Sequence, residues 1–106
     1  MRQKFGIGII GCGGVSSAHA DAYQRLAEQC TLYAVCDPVA ANANRLGDRF
    51  GVETRYADYH DLLADKRIDV VSVCVPHFLH APIAIDAAKA GKHVIAEKPM
   101  ALTVGE

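Results

Sequence analysis

The 106 residues, 1–106, leave room for one domain with a single core, and 51% apolar with 22% charged residues excludes disordered, collagen-like and membrane compositions. Eleven basic against twelve acidic residues give a net charge of −1, which builds no one-sided field for nucleic acid or an anionic membrane surface. Glycines break the apolar start of the chain and no small-residue cleavage site follows, and no window nears the roughly 18 uninterrupted apolar residues of a membrane span, so a cytoplasmic location is expected.

In chain order, residues 4–10 read as a strand, followed by the turn Gly11-Cys12-Gly13-Gly14-Val15-Ser16 and a helix over 15–28. A strand is expected at 32–36, a helix at 39–50 stopped by Gly51, a strand at 53–56 and a short helix at 59–64. The run at 69–75 holds Val70, Val71, Val73, Cys74 and Val75 with only Ser72 interrupting, the pattern of a central strand covered on both faces. A helix over 80–90 with Pro82 in its first turn, a stop at Gly91 and a strand at 93–97 complete the series. Alternating strands and helices joined by right-handed crossovers predict a three-layer, doubly wound parallel α/β sheet of Rossmann type, in the order 3-2-1-4-5. Its ligand crevice opens beyond the carboxyl ends of strands one and four.

The Gly-rich turn leaves a strand and opens a helix, the context of a dinucleotide fingerprint. Gly11 permits the tight turn, Gly13 lets backbone approach a pyrophosphate, and the free amides at Gly14 and Val15 with the helix dipole hold its charge. Ser16 stands where Gly or Ala usually packs helix on strand. An ordinary Gly-rich strand-to-helix turn is the plainer reading. Asp37, at the end of strand two, suits an acceptor for the adenosine ribose hydroxyls, but Asp37-Pro38 is equally an N-cap followed by proline at the first helical position. A carboxylate there repels a 2′-phosphate, and the next cation along the chain is Arg45, which favours NAD over NADP.

Pro76 and His77 leave the central strand at the same sheet edge, with His80 opening the next helix; either histidine is as readily a solvated loop residue as a participant in chemistry. Glu97-Lys98-Pro99 ends strand five at this edge too, where Lys98 is either a surface lysine or, in a low-dielectric pocket, a proton donor near a nicotinamide. Cys12, Cys30, Cys36 and Cys74 form no CxxC pair and have no histidine at zinc spacing, so they read as reduced packing residues and no metal is expected. Thr103-Val104-Gly105-Glu106 has capping-box spacing with no helix behind it, so the chain is expected to stop where a longer polypeptide would continue.

Gly8-Ile9-Ile10-Gly11-Cys12-Gly13, the segment Pro76 to His80, and Gly-Lys-His-Val followed two residues later by Glu97-Lys98-Pro99 together resemble the Gfo/Idh/MocA family, named for glucose-fructose oxidoreductase and inositol dehydrogenase. The resemblance covers essentially the whole chain. It implies the N-terminal Rossmann domain of a two-domain enzyme, an NAD or NADP cofactor, and hydride transfer between nicotinamide and a sugar or cyclitol hydroxyl. It also implies that Lys98 contacts substrate and cofactor, that Pro76, His77 and Glu97 shape the pocket, and that His80 matches the family's histidine. The family's second domain, which binds substrate, mediates homo-oligomerisation and supplies further catalytic residues, is absent from this chain, so the chain by itself is expected to be inactive. Two alternatives stand beside it: a non-catalytic NAD(H)-sensing module, and a Rossmann-like domain for CoA or another nucleotide.

Overall fold

The computed structural model describes residues 5–13, 16–26, 28–75 and 80–96, the side chains of 80, 81 and 96 excepted. Its elements run β1 (Phe5–Ile10), α1 (Ser16–Arg25), β2 (Cys30–Cys36), α2 (Ala40–Phe50), β3 (Thr54–Tyr56), α3 (Tyr59–Leu63), β4 (Val70–Val73), α4 (His80–Lys89) and β5 (His93–Ala96). The five strands form one parallel sheet in the order β3-β2-β1-β4-β5, the topology expected from right-handed crossovers.

Each central strand is apolar on both faces, and alternate residues feed two cores. Ile9, Val35 and Cys74 pack with Ala20 of α1 and with Ala43 and Leu46 of α2. Ile10, Cys36, Val71 and Val73 face the other way, against Leu62 and Leu63 of α3 and Ile83 and Ala87 of α4. Ile9, Val35, Val71 and Val73 have no exposed surface, and each stabilises the fold by about 1.5–3 kcal/mol relative to leaving it in water. Ser72, the one polar residue in the β4 run, is fully buried on the α1 side, where its hydroxyl meets Tyr23 Oη and, at 3.3 Å, His19 Nδ1. The hydroxyl is therefore satisfied inside the core rather than marking a break in the strand.

The expected helix over 15–28 ends instead at Arg25, because the chain turns at Leu26 to enter the sheet. The Leu26 carbonyl accepts from the N–H of Gln29 at 2.8 Å and of Cys30 at 3.0 Å, which lets β2 begin two residues before the apolar run, opposite Phe5. The stop signals Gly51 and Gly91 adopt left-handed φ of 72° and 82°. Among the described residues no helix is long and apolar enough to cross a membrane.

Candidate functional site

The carboxyl ends of β1, β2 and β4 converge on the Gly-rich turn. Gly11 has φ of 94°, and a Cβ there would stand 2.7 Å from the Cys74 carbonyl oxygen and 2.9 Å from Val75 Cγ1. Glycine is thus required twice, for the left-handed backbone and for the close pass against the end of β4. The Gly11 N–H donates to the Cys36 carbonyl at 2.7 Å, so the turn continues the β1–β2 ladder before it leaves the sheet. Gly13 differs: nothing lies within 4 Å of where its Cβ would be, and the backbone is open to a ligand. Its carbonyl accepts from both the N–H and the hydroxyl of Ser16, at 3.1 and 2.5 Å, which fixes the first turn of α1. Ser16 is fully buried, as its place between helix and strand requires.

Asp37 is 8% exposed and faces this turn. Its Oδ2 accepts from the Cys12 N–H at 2.9 Å and its Oδ1 from the Val39 N–H at 2.8 Å, with a longer contact of 3.5 Å from Asn42 Nδ2. The capping alternative does not hold, since α2 begins at Ala40 with Val39 at the N-cap, and Pro38 lies ahead of the helix. Instead the carboxylate ties the turn after β2 to the turn after β1. Its Oδ2, with one donor, keeps a further lone pair, which leaves it able to accept from a ribose hydroxyl.

A cavity of about 470 Å³ opens at this edge, within the size of small-molecule sites. Ile10 ending β1 and Gly11 after it, Cys36 ending β2 and Pro38 beyond it, Val75 after β4 and Tyr59 of α3 line it, so it occupies the expected crevice. The Tyr59 hydroxyl donates to Asp86 at 2.5 Å, which pushes its pKa up to about 12 and keeps the ring in place as a neutral wall. Burial, and then the charge of Asp37, push the Cys12 thiol up to about 11; burial first and Cys12 second push Cys36 up to about 12. Both are therefore neutral packing groups at physiological pH, in keeping with their reading as structural cysteines. A cleft of similar size, about 430 Å³, does not share these features: it lies at the opposite, amino end of the sheet, among Phe5, Asp69 and His93.

Of the site residues expected from the sequence, Gly11, Cys12, Gly13 and Asp37 come together here. Gly14, Val15, Pro76, His77, Glu97 and Lys98 lie outside the described residues, as does the side chain of His80. From the sequence Arg45 counted only as a distant cation, and Arg49 was passed over. They line a second, smaller cavity of about 120 Å³ on the other side of the Gly-rich turn, against Cys12, Gly13 and Ser17. The signal was present: Asn42, Arg45 and Arg49 follow one another at i, i+3 and i+7, one face of a helix.

The profile of GFO_IDH_MocA, described as an oxidoreductase family with an NAD-binding Rossmann fold, matches residues 5–106. The chain belongs to this family. Among GFO_IDH_MocA relatives, inositol 2-dehydrogenase of Salmonella typhimurium is 37% identical over 100 residues, covering 93% of this chain and 30% of that protein. The crystal structure of an NAD binding oxidoreductase from Klebsiella pneumoniae superposes with a TM-score of 0.84 at 40% identity, over 92% of this chain and 28% of that one. The WlbA dehydrogenase of Bordetella pertussis, solved in complex with NADH and UDP-GlcNAcA, superposes at 0.86 with 31% identity, over 92% and 30%. The chain thus spans about three tenths of the length of these relatives.

Proposed function

We propose that this chain is the cofactor-binding domain of an NAD-dependent dehydrogenase that works on a hydroxyl of a sugar or cyclitol. The observation that carries the reading is one sheet edge holding a glycine with no room for a Cβ, a second with open space, and a buried aspartate clamped between two turns. Gly13 and the start of α1 receive the pyrophosphate, whose charge the free amides and helix dipole hold. Asp37 accepts from the adenosine ribose, and the 470 Å³ cavity shields the rings from water. Bound nicotinamide supplies the acceptor and donor of hydride. On the family pattern, Lys98 holds the proton of the reacting hydroxyl, with Pro76, His77, His80 and Glu97 around it.

The relative named for inositol and the dehydrogenase solved with UDP-GlcNAcA support a polyol or sugar substrate. Hydride transfer needs that substrate held in a near-attack geometry between two walls, and these residues offer one. Turnover by the chain alone is therefore expected to be negligible, with a second domain and a homo-oligomeric assembly completing the enzyme in the cytoplasm. The near balance of charge supports no role in binding nucleic acid. Titration of the purified chain with NADH, read by nicotinamide fluorescence and by the rise in melting temperature, tests the reading. Saturable binding supports it; absence of binding, with CoA bound instead, would replace it.

A further inference from the structure

We propose that Asp58 reads the base of the bound dinucleotide: its carboxylate accepts from the exocyclic amine of adenine, and the site therefore selects adenine over a purine with a carbonyl oxygen in that position. The inference rests on the cofactor reading above and extends it to the base. Among the described residues that line the 470 Å³ cavity, Asp58 is the one charged side chain. Ile10, Pro38, Val75 and Ile83 give the cavity apolar walls, and the Tyr59 hydroxyl is already donated to Asp86 at 2.5 Å. Such walls suit the faces of a purine, and a single acceptor among them suits its polar edge.

The order of the sheet brings the base, rather than another part of the cofactor, to Asp58. Gly13 follows β1, Asp37 follows β2 and Asp58 follows β3, and these strands are neighbours in the order β3-β2-β1. Adjacent strands lie about 4.8 Å apart. With the pyrophosphate at Gly13, one step outward is the ribose at Asp37 and a second is the base at Asp58. The Asp37 N–H donates to the Tyr56 carbonyl at 3.1 Å, which keeps the turns after β2 and β3 together.

Asp58 is also held in place by the chain itself. Its Oδ1 accepts from the His60 N–H at 2.9 Å, capping α3, and from the His60 ring Nδ1 at 2.8 Å. A carboxylate only accepts, so this ring nitrogen carries the proton. The ring stacks on Tyr59 with centroids 4.2 Å apart, which ties the carboxylate to the cavity wall. Oδ1 is thus filled, whereas Oδ2 has no donor among the described residues. Asp21, Asp48 and Asp65, by contrast, pair with Arg25, Arg55 and Arg67 at 3.0, 3.1 and 2.7 Å. Adenine offers Oδ2 an amine donor, while hypoxanthine sets an acceptor against an acceptor.

The experiment titrates the 106-residue chain with NADH and with reduced nicotinamide hypoxanthine dinucleotide, read by nicotinamide fluorescence and calorimetry. The natural sequence is compared with Asp58→Ser and Asp58→Asn. Both variants keep a side-chain oxygen to cap α3, so each should melt with the parent. The natural chain should bind NADH roughly tenfold more tightly than the hypoxanthine analogue, the lower end for a hydrogen bond to a charged group because Asp58 is exposed. Asp58→Ser removes Oδ2, so NADH should weaken roughly tenfold while the analogue stays within about twofold. In Asp58→Asn the amide oxygen keeps the cap and the amide N–H groups replace Oδ2, so the preference should reverse, the analogue binding more tightly than NADH.

Equal binding of the two dinucleotides by the natural chain overturns the proposal and leaves the cofactor reading intact. A preference for NADH that survives in both variants also overturns it, since another group then reads the base. Equal weakening of both dinucleotides in the variants overturns it too, reducing Asp58 to the cap of α3. Failure of both dinucleotides to bind the natural chain removes the cofactor reading and this inference with it.

Discussion

Strand β1 is fastened by an aspartate at each end, and the two fastenings have become different things. At the amino end Asp69 Oδ2 accepts from the Gly6 N–H at 2.8 Å while the Asp69 N–H donates to the Gly6 carbonyl at 2.7 Å, with Asp69 exposed to solvent. At the carboxyl end Asp37 divides its two oxygens between Cys12 and Val39, on separate turns, and is 8% exposed beside the crevice. Each end also holds a glycine with no room for a side chain. A Cβ on Gly6 would lie 1.8 Å from the Arg67 carbonyl oxygen, and one on Gly11 would lie 2.7 Å from that of Cys74. The same chemistry, carboxylate to amide and backbone against backbone, closes the sheet at one end and shapes a binding turn at the other.

The sharpest way to separate the ends is to add one methyl group at each. Gly6→Ala forces backbone from backbone and should cost about 3 kcal/mol or more of stability, while the molecules that remain folded bind NADH as before. Gly11→Ala combines a left-handed alanine with crowding at Cys74, costs about 2–4 kcal/mol, and should also abolish saturable NADH binding. Urea unfolding with and without NADH reads both quantities. Equal loss of affinity in the two variants would erase the distinction.

A smaller contrast comes from the carboxylates. Asp37→Asn leaves one of two buried N–H groups without an acceptor, so a cost of about 1–3 kcal/mol and roughly tenfold weaker NADH binding are expected. Asp69→Asn can turn its amide oxygen toward Gly6, so less than about 1 kcal/mol and no change in binding are expected. Melting curves and the same titration distinguish them.

The smallest effect is a silence. Because burial holds the Cys12 and Cys36 thiols near 11 and 12, iodoacetamide at pH 8 should leave both unmodified in the native chain, as mass spectrometry of the digested protein would register. Folded values raised above the unfolded thiol value of about 8.5 mean that this contribution to stability is complete below that pH and is lost as pH climbs toward 11–12. Rapid labelling of Cys12 at pH 8 would mean that the turn opens in solution.

Strand and helix periodicity, glycine stops and the handedness of crossovers are local or chiral properties, so the sheet order and the position of the crevice were legible in the chain itself. So was the Gly-rich turn, because its function depends on absent side chains at adjacent positions. The role of Asp37 was not, since Asp-Pro before a helix is written the same way whether the carboxylate caps the helix or bridges two turns. The place of Arg45 and Arg49 beside Gly13 was unread for a related reason: it depends on the packing of α2 beside α1. Sequence alone therefore determined which elements form and how they are ordered, because those follow from spacing and sterics along the chain. Only the tertiary structure decided which charges share a cavity, because that depends on contacts between residues far apart in sequence.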